Sequence, residues 1–364
     1  MRRSLPLSLV VFAWAALPLA AARLAETAPT TDERIDEIFS ELDEKGSPGA
    51  AVVVVRGGNV LFQGAYGHAD LKKAILVETD TAFYMASAAK QMTAVAVLQL
   101  SERGKLALAD PVVRFLPEFR GWGEGVTILH LLQHTAGLPD TDTALGDRPG
   151  EPNNADTLKL LAQWKRLDFR PGARQQFGNT GYEVLASIVE KVAGKSFGAV
   201  LEESVFGPTG MKDTFVWDEE RRAKAKRALG YSQQKGAWTV DDDSSLNRLQ
   251  GAGSLYTTVE DLARYDKALF GRRLLNEASL AAMFRPGRLG RLDEGGQPIP
   301  YGLGWYIDHE EESGRLYYGC SGAWMGFTSY YLHLPQQDLS VIVLANSSET
   351  DAEGLAFETA EVFR

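Results

Sequence analysis

A serine and a lysine three residues apart, Ser87 and Lys90, are the residues whose types and spacing most directly indicate chemistry in this sequence. They lie at the start of a helix predicted over residues 88–104, and residues three apart share one helix face. A serine hydroxyl is a weak nucleophile, but a lysine desolvated in a cleft loses proton affinity and can take the serine proton. The helix N-terminus adds free N–H groups near a developing oxyanion. The pair favours nucleophilic attack by Ser87, although a four-residue pattern alone also occurs by chance.

Two other patterns have competing interpretations. Residues 194–198 match G-x-S-x-G, but a helix is predicted over residues 181–193 where the nucleophile elbow requires a strand. We therefore interpret Gly194 as a helix C-cap, and Val189 stands where a P-loop requires its first glycine. His130 and His134 are four apart and could share a helix face, but neither has the adjacent glutamate of an H-E-x-x-H zinc site. A structural role is the favoured interpretation for both histidines.

The composition excludes several classes of protein. Cys320 is the single cysteine, so neither an intrachain disulfide nor a thiolate zinc cluster can form. The formal net charge is −10 and the sequence has no long Lys/Arg run, which disfavours a nucleic-acid partner. Hydrophobic residues make up 45 % and charged residues 24 %, which are ordinary globular values, so the chain is neither disordered nor collagen-like. No cofactor is implied.

The first 22 residues have the layout of a secretory signal peptide. Arg2 and Arg3 precede an uncharged apolar run, and three alanines at positions 20–22 offer a cleavage site. The alternative is an uncleaved membrane anchor, but the apolar run is short for a span that needs about 20 residues. We predict cleavage near Ala22, which takes the formal charge from −10 to −12. The mature chain is then expected to be exported, to the periplasm or the medium, without a stable membrane span.

Strand patterns lie near both ends of the chain and helix patterns lie between them. Thr30 and Glu33 form a possible capping box. The predicted strands cover residues 50–55, 60–65, 305–308, 315–319, 327–334 and 339–345, and the further predicted helices cover residues 126–134, 155–166, 181–193, 259–270 and a segment from 351 onward. The simplest topology is an α+β fold in which both chain ends build one sheet and a helical segment is inserted.

The chain resembles the serine β-lactamase and penicillin-binding-protein superfamily, and within it the class C β-lactamase-like branch, which includes esterases, D-aminopeptidases and DD-carboxypeptidases. The resemblance runs from about residue 32 to the C-terminus. The stretches that carry it are residues 64–70, 83–93, 128–138, 171–172, 179–182, 210–214, 251–255, 301–305 and 344–346, in the order of the family. It implies an antiparallel sheet flanked by helices. The expected division is a sheet subdomain at about 30–80 and 250–364, with an all-helical subdomain at about 81–249.

The resemblance carries one catalytic motif over intact and two with departures. Ser87 corresponds to the acylated nucleophile and Lys90 to its proton partner. Asn179 matches the asparagine that hydrogen-bonds the lysine and the substrate amide, but Phe177 stands where the family has a tyrosine. The third motif, normally Lys-Thr-Gly or His-x-Gly, is predicted on a strand edge lining the site and reads Cys320, Ser321, Gly322. An oxyanion hole is expected from the backbone N–H groups of Ser87 and Ala323.

These departures affect the expected rate and specificity. Losing one general acid–base group costs roughly 10²–10⁴-fold in rate, and a thiol is too weak a donor to receive a substrate carboxylate as a basic group does. The alternatives for the missing hydroxyl group are Tyr182, Tyr231, Tyr318 or a water. Cys320 is interpreted as a small neutral residue, with a low-pKa thiolate beside Lys90 as the alternative.

Two functions follow from this pattern. The first is a serine hydrolase that cleaves a small-molecule ester, amide or peptide through an acyl-enzyme on Ser87 and is not an efficient β-lactamase. The second is a catalytically impaired member that binds a peptidoglycan-like or other ligand in the same cleft.

Overall fold

The computed structural model describes residues 29–43, 46–147, 150–287, 290–292, 298–310 and 313–364. The predicted signal peptide at residues 1–22 lies outside these described residues. Within them, the structure contains no helix with the length and apolar character needed to cross a bilayer.

Both ends of the chain contribute strands to one antiparallel sheet, as the sequence predicts. Six strands form this sheet, and they pair in the order Tyr306–His309, Leu316–Trp324, Phe327–Leu334, Leu339–Ala345, Ala50–Arg56 and Asn59–Tyr66. Within the described residues the strands are β1 (Ala50–Arg56), β2 (Asn59–Tyr66), β3 (His68–Asp70), β4 (Ile75–Leu76), β5 (Phe83–Tyr84), β6 (Phe215–Val216), β7 (Tyr231–Gln234), β8 (Ala237–Val240), β9 (Leu255–Thr257), β10 (Gly290–Leu292), β11 (Pro298–Pro300), β12 (Tyr306–His309), β13 (Leu316–Trp324), β14 (Phe327–Leu334) and β15 (Leu339–Ala345).

Most of the helices lie between the strands of the two chain ends. Among the described residues they are α1 (Thr31–Ile38), α2 (Lys90–Glu102), α3 (Ile128–Leu132), α4 (Asp142–Gly146), α5 (Asn154–Trp164), α6 (Thr180–Ala193), α7 (Phe197–Leu201), α8 (Gly207–Thr209), α9 (Glu219–Lys224), α10 (Val259–Phe270), α11 (Glu277–Met283) and α12 (Ala352–Val362). Short pairings accompany them: β5 and β6 pair with β9, and β7 pairs with β8.

Strand β1 is apolar on both faces because the sheet is covered on both sides. Successive side chains of a strand point to opposite faces. Val53 and Val55 therefore belong to the large core shared with α2 and α10, whereas Val52 and Val54 pack with α1 and α12 in a second core. This explains why the sequence shows a continuous apolar run here instead of an alternating one.

Helix α2 is the central helix of the larger core. Its residues from Lys90 to Leu100 are all buried, so the helix has neighbours on every side. A 3₁₀ turn, Ala86–Ala89, precedes it and lies against strand β13. A Cβ added at Gly322 of this strand would come within 2.3 Å of the Met85 carbonyl oxygen. The close approach of backbone to backbone therefore requires glycine at position 322.

The predicted elements are confirmed, with differences at their ends. The helix predicted over 259–270 is observed as Val259–Phe270, and Gly194 ends α6 in a left-handed conformation, as a C-cap. The helix predicted over 126–134 is shorter, because α3 ends at Leu132 and His134 has a positive φ of 58°. His130 and His134 therefore do not share a helix face. The strand predicted over 315–319 extends to Trp324, where its edge meets the 3₁₀ turn.

We expect Gly304→Ala to destabilise the protein more than Gly104→Ala. Both glycines have a positive φ, of 85° and 65°, so each substitution costs about 1–2 kcal/mol in backbone conformation. A Cβ at position 304 would also lie 2.7 Å from Gln91 Cα, whereas one at position 104 meets nothing within 4 Å. Overpacking of that kind costs roughly a further 1–3 kcal/mol. The free energies of unfolding from urea titration measure the difference, and equal losses would contradict the packing of α2.

Candidate active site

Ser87 lies in the 3₁₀ turn immediately before helix α2, and Lys90 is the first residue of that helix. Side chains three residues apart eclipse one another in a 3₁₀ turn. The Lys90 Nζ accordingly lies 2.9 Å from the Ser87 Oγ. Ala86, next to the serine, has a φ of 50°, which is a strained conformation for a residue with a Cβ and one that concentrates at functional sites.

The Lys90 amine is buried and fully surrounded. Its side chain is 1 % exposed, and Nζ donates hydrogen bonds to the Asn179 Oδ1 and to the Ala252 carbonyl oxygen, both at 2.8 Å, in addition to Ser87. Burial lowers the pKa of Lys90 to about 7, while the nearby Glu183 and Asp142 act in the opposite direction. A lysine with this pKa is neutral in a large fraction of molecules near pH 7 and can act as a base.

Asn179 connects the lysine to an acidic residue that the sequence analysis did not identify. It precedes helix α6, and while its Oδ1 accepts from Lys90, its Nδ2 donates to the Asp142 Oδ2 at 2.7 Å. These two hydrogen bonds fix the orientation of the side-chain amide. One N–H of the amide group is left over for a substrate, because the NH₂ group has two.

Asp142 also faces Glu183, which lies on α6 one helical turn beyond Asn179. The Glu183 side chain is 1 % exposed, and its Oε2 accepts from Thr157 Oγ1 at 2.6 Å. Burial, and then the adjacent Asp142 carboxyl, raise the pKa of Glu183 well above its usual range. Two carboxyl groups in contact cannot both ionise easily, so the raised pKa makes Glu183 the member of the pair that retains a proton.

Phe177 forms an aromatic wall where the resemblance predicts a tyrosine. Its ring is 41 % exposed, and its centroid lies 4.9 Å from the Lys90 Nζ. It packs against His134 at 4.5 Å and against Tyr306 at 6.3 Å between centroids. The lysine therefore meets the face of a ring at this point instead of a hydroxyl group, and ring faces favour the protonated amine.

The three tyrosines proposed as replacements have other contacts, which disfavours each of them for that role. Tyr182 is buried, and its hydroxyl donates to the Leu132 carbonyl oxygen at 2.8 Å. The Tyr231 hydroxyl accepts from the Leu71 backbone N–H at 2.9 Å, at the start of β7. The Tyr318 ring stacks on Phe284, with centroids 4.2 Å apart.

Strand β13 contributes the third segment of the predicted site, with alternating orientation. Ser321 is exposed and Gly322 lies against the 3₁₀ turn, as described above. Ala323 lines the same cavity as Ser87. This arrangement is compatible with the predicted oxyanion hole, which remains a prediction.

Cys320 points away from that cavity. Its side chain is 3 % exposed and belongs to the larger core, where Sγ donates to the Gly304 carbonyl oxygen at 3.0 Å. Burial raises the pKa of the thiol well above its usual range, so the thiolate alternative is wrong. The expectation that this position lines the cleft is also corrected, because the short Cys320 side chain is buried in the core and is not among the residues that line the cavities at Ser87.

Two adjoining cavities meet at Ser87. The larger, of about 390 Å³, is lined among others by Phe177, Asn179, Asp140, Ala323 and Trp324, and its size is that of a small-molecule site. The smaller, of about 30 Å³, is lined by Ser87, Asp142, Asn179 and Glu183 together with Tyr84 and apolar residues. Among the described residues that line these two cavities, none is Arg or Lys.

The structure brings four of the predicted site residues, Ser87, Phe177, Asn179 and Ala323, to one cavity and places Lys90 beneath them. Sequence reasoning missed Asp142 and Glu183. A signal for Glu183 was present, because it lies four residues after Asn179 and shares its helix face. Asp142 had no comparable signal, since it reaches Asn179 from the start of a separate helix, α4.

Known proteins are similar to this chain over nearly its whole length. The family model for beta-lactamase matches residues 35–362. Penicillin-binding protein 4* of Bacillus subtilis (strain 168) is 31 % identical over 347 residues, which cover 90 % of this chain and 75 % of the relative.

Solved structures give the same result for the fold. The octameric penicillin-binding protein homologue from Pyrococcus abyssi superposes with a TM-score of 0.79 at 25 % identity, covering 92 % of this chain and 76 % of the other. A class C beta-lactamase superposes with a TM-score of 0.76 at 22 % identity, covering 92 % of this chain and 96 % of the other.

We expect the acylation of Ser87 to depend on pH through Lys90. The amine must be neutral to accept the serine proton, so the rate should rise as pH increases through about 7 and level off above it. The second-order rate of labelling by a fluorophosphonate probe measures this dependence. Lys90→Ala should lower the plateau roughly 10²–10⁴-fold, whereas Lys191→Ala, at an exposed lysine of α6, should leave it unchanged. A rate independent of pH between 5 and 9 would contradict the role of Lys90 as the base.

Proposed function

The chain belongs to the beta-lactamase family, and from that premise we propose that it is a serine hydrolase that cleaves an ester or a small amide through an acyl-enzyme on Ser87. The observation that carries the proposal is the buried Lys90 amine, 2.9 Å from the Ser87 hydroxyl. Neutral Lys90 takes the proton of Ser87 as Oγ attacks the substrate carbonyl carbon. It then passes that proton to the departing alcohol or amine.

The lining of the cleft supports a neutral substrate with an apolar group. Asp140 and Asp142 are the charged side chains at the larger cavity among the described residues. A substrate carboxylate would be repelled by these groups, and no Arg or Lys is among the described residues that line the cavity to offset the repulsion. Exposed aromatic surface at Phe177 offers an apolar contact instead. We therefore propose that β-lactams and peptides ending in a D-Ala carboxylate are poor substrates, and that an export signal takes the mature chain out of the cytoplasm.

One observation favours a second candidate, a member that binds or traps its ligand without turnover. The face of the Phe177 ring covers Lys90 at 4.9 Å, where the related motif has a hydroxyl group. Without that acid–base group, an acyl-enzyme on Ser87 can be long-lived. The two candidates differ in the lifetime of the adduct and not in its site.

Probe labelling tests the proposal directly. The mature protein should be labelled by a fluorophosphonate and only weakly by a fluorescent penicillin, because the fluorophosphonate needs only the nucleophile whereas the penicillin also presents a carboxylate. Ser87→Ala, which removes the nucleophilic oxygen, should abolish both signals in a gel assay. If the wild-type protein takes up neither probe, the acyl-enzyme proposal fails. An ester-derived adduct that persists for hours by intact mass favours the second candidate.

Phe177→Tyr should increase kcat/KM for a neutral p-nitrophenyl ester by at least about tenfold, because it supplies an acid–base hydroxyl group above Lys90. Phe177→Leu is the matched control, since it removes the ring and adds no hydroxyl, and it should bring no gain. Steady-state kinetics on the three proteins decide the question. An unchanged kcat/KM in Phe177→Tyr would indicate that acylation here does not require a hydroxyl at this position.

A further inference from the structure

The paired carboxyl groups of Asp142 and Glu183 have no counterpart in the motifs that define the proposed reaction. The Asp142 Oδ1 and the Glu183 Oε1 are both buried and receive no N–H or O–H donor among the described residues. Their other oxygens are occupied, by Asn179 Nδ2 and by Thr157 Oγ1 respectively. The two side chains lie within hydrogen-bond reach of each other. Oxygens that face one another in this way are satisfied by one shared proton.

This pair borders a space of the size of water. The smaller cavity, of about 30 Å³, is lined by Ser87, Asp142, Asn179 and Glu183. A water needs about 10–15 Å³ of such volume and two to four polar partners, and the hydroxyl, carboxyl and amide groups supply them. Ser87, which would carry the acyl group, and the carboxyl group of Asp142 therefore line the same small cavity.

Several titratable groups face the pair. Lys90 faces the Asp142–Glu183 pair from helix α2, and Tyr84 faces it from strand β5. Asp140 lies in the segment before α4, and its Oδ1 accepts a hydrogen bond from the Asp142 backbone N–H at 3.0 Å. Burial keeps Tyr84 protonated by raising its pKa. Burial, and then the adjacent Asp142, raise the pKa of Glu183 well above its usual range, so Glu183 is the protonated member of the pair.

We propose that Asp142, paired with Glu183, is the base that activates water for deacylation and so takes over part of the work of the absent tyrosine hydroxyl. This inference rests on the proposed serine hydrolase function. The water oxygen bonds to the acyl carbon while one water proton moves to the Asp142 carboxylate. The ester bond to Ser87 Oγ then breaks and its electron pair stays on Oγ. Asp142 returns the proton to Oγ across the smaller cavity. The product leaves as the free acid.

A purely structural role predicts a different pattern of kinetics. Asp142 also fixes the amide of Asn179, and loss of that contact would disturb Lys90 and slow acylation and deacylation together. Asp142→Asn separates the two roles, because its side-chain oxygen can still accept from Asn179 Nδ2 whereas it cannot accept a proton from water. The variant keeps the shape of the site and loses the base.

The experiment is stopped-flow hydrolysis of a p-nitrophenyl ester by the mature protein, with intact-mass detection of the adduct on Ser87. Asp142→Asn should keep the rate of the initial burst within about threefold while the deacylation rate falls roughly 10²–10⁴-fold. The matched control is Asp147→Asn, an exposed carboxylate beyond the end of α4, and it should match the wild-type protein. Glu183→Gln replaces the shared proton by a fixed N–H donor and should move the acid limb of the deacylation pH profile to lower pH.

Each result decides between the alternatives. A deacylation rate in Asp142→Asn within fivefold of the wild-type rate overturns the inference, as does an equal fall in burst and deacylation rates. If Asp142→Asn does not fold, the pH profile of Glu183→Gln decides instead, and an unshifted acid limb overturns the inference. The absence of any burst or Ser87 adduct in the wild-type protein is a distinct outcome, which overturns the proposed function and this inference with it.

Discussion

Burial of one amine, Lys90 Nζ, is the constraint on which the site and much of its surroundings depend. Removing an amine from water is costly unless its hydrogen bonds are replaced. Three separate parts of the chain replace them: the turn with Ser87, the start of α6 with Asn179 and the loop carbonyl of Ala252. That loop is tied to α2 a second time, because Thr93 Oγ1 donates to the Gly251 carbonyl oxygen at 2.7 Å. The fold brings these segments together at the point where the amine needs partners.

The electrostatics of the cleft follow from what surrounds that amine. An aromatic ring covers it at Phe177, and two carboxyl groups lie behind Asn179. The ring provides no proton-transfer group, whereas the proposed base for deacylation belongs to the carboxyl pair. Our proposal of a neutral substrate rests on the same surroundings, a cleft lined by aspartates and aromatic surface.

The third motif shows how burial limits what a residue can do. Cys320 and Ala323 lie three residues apart on β13. Cys320 is part of the core and contacts the Gly304 carbonyl oxygen, whereas Ala323 lines the cleft. A short uncharged side chain at position 320 fits this buried place. Because burial raises the pKa of its thiol, Cys320 adds no reactive group to the site.

The sequence by itself determined the sheet from both chain ends and the Ser87–Lys90 pair, because these depend on local periodicity and on the spacing of neighbouring residues. Gly194 as a helix end and α10 were predictable for the same reason. The position of Asn179 followed from the resemblance to the family motif. The sequence could not determine that the Cys320 side chain is buried in the core or that each proposed tyrosine has other contacts. It also could not determine the contact of Asp142 with Glu183. Asp142 and Glu183 are far apart in the chain, so only the packing of the start of α4 against α6 brings their carboxyl groups together. Burial then decides which of them holds the proton, since the cost of an ionised group depends on its solvent and neighbours and not on its position in the sequence.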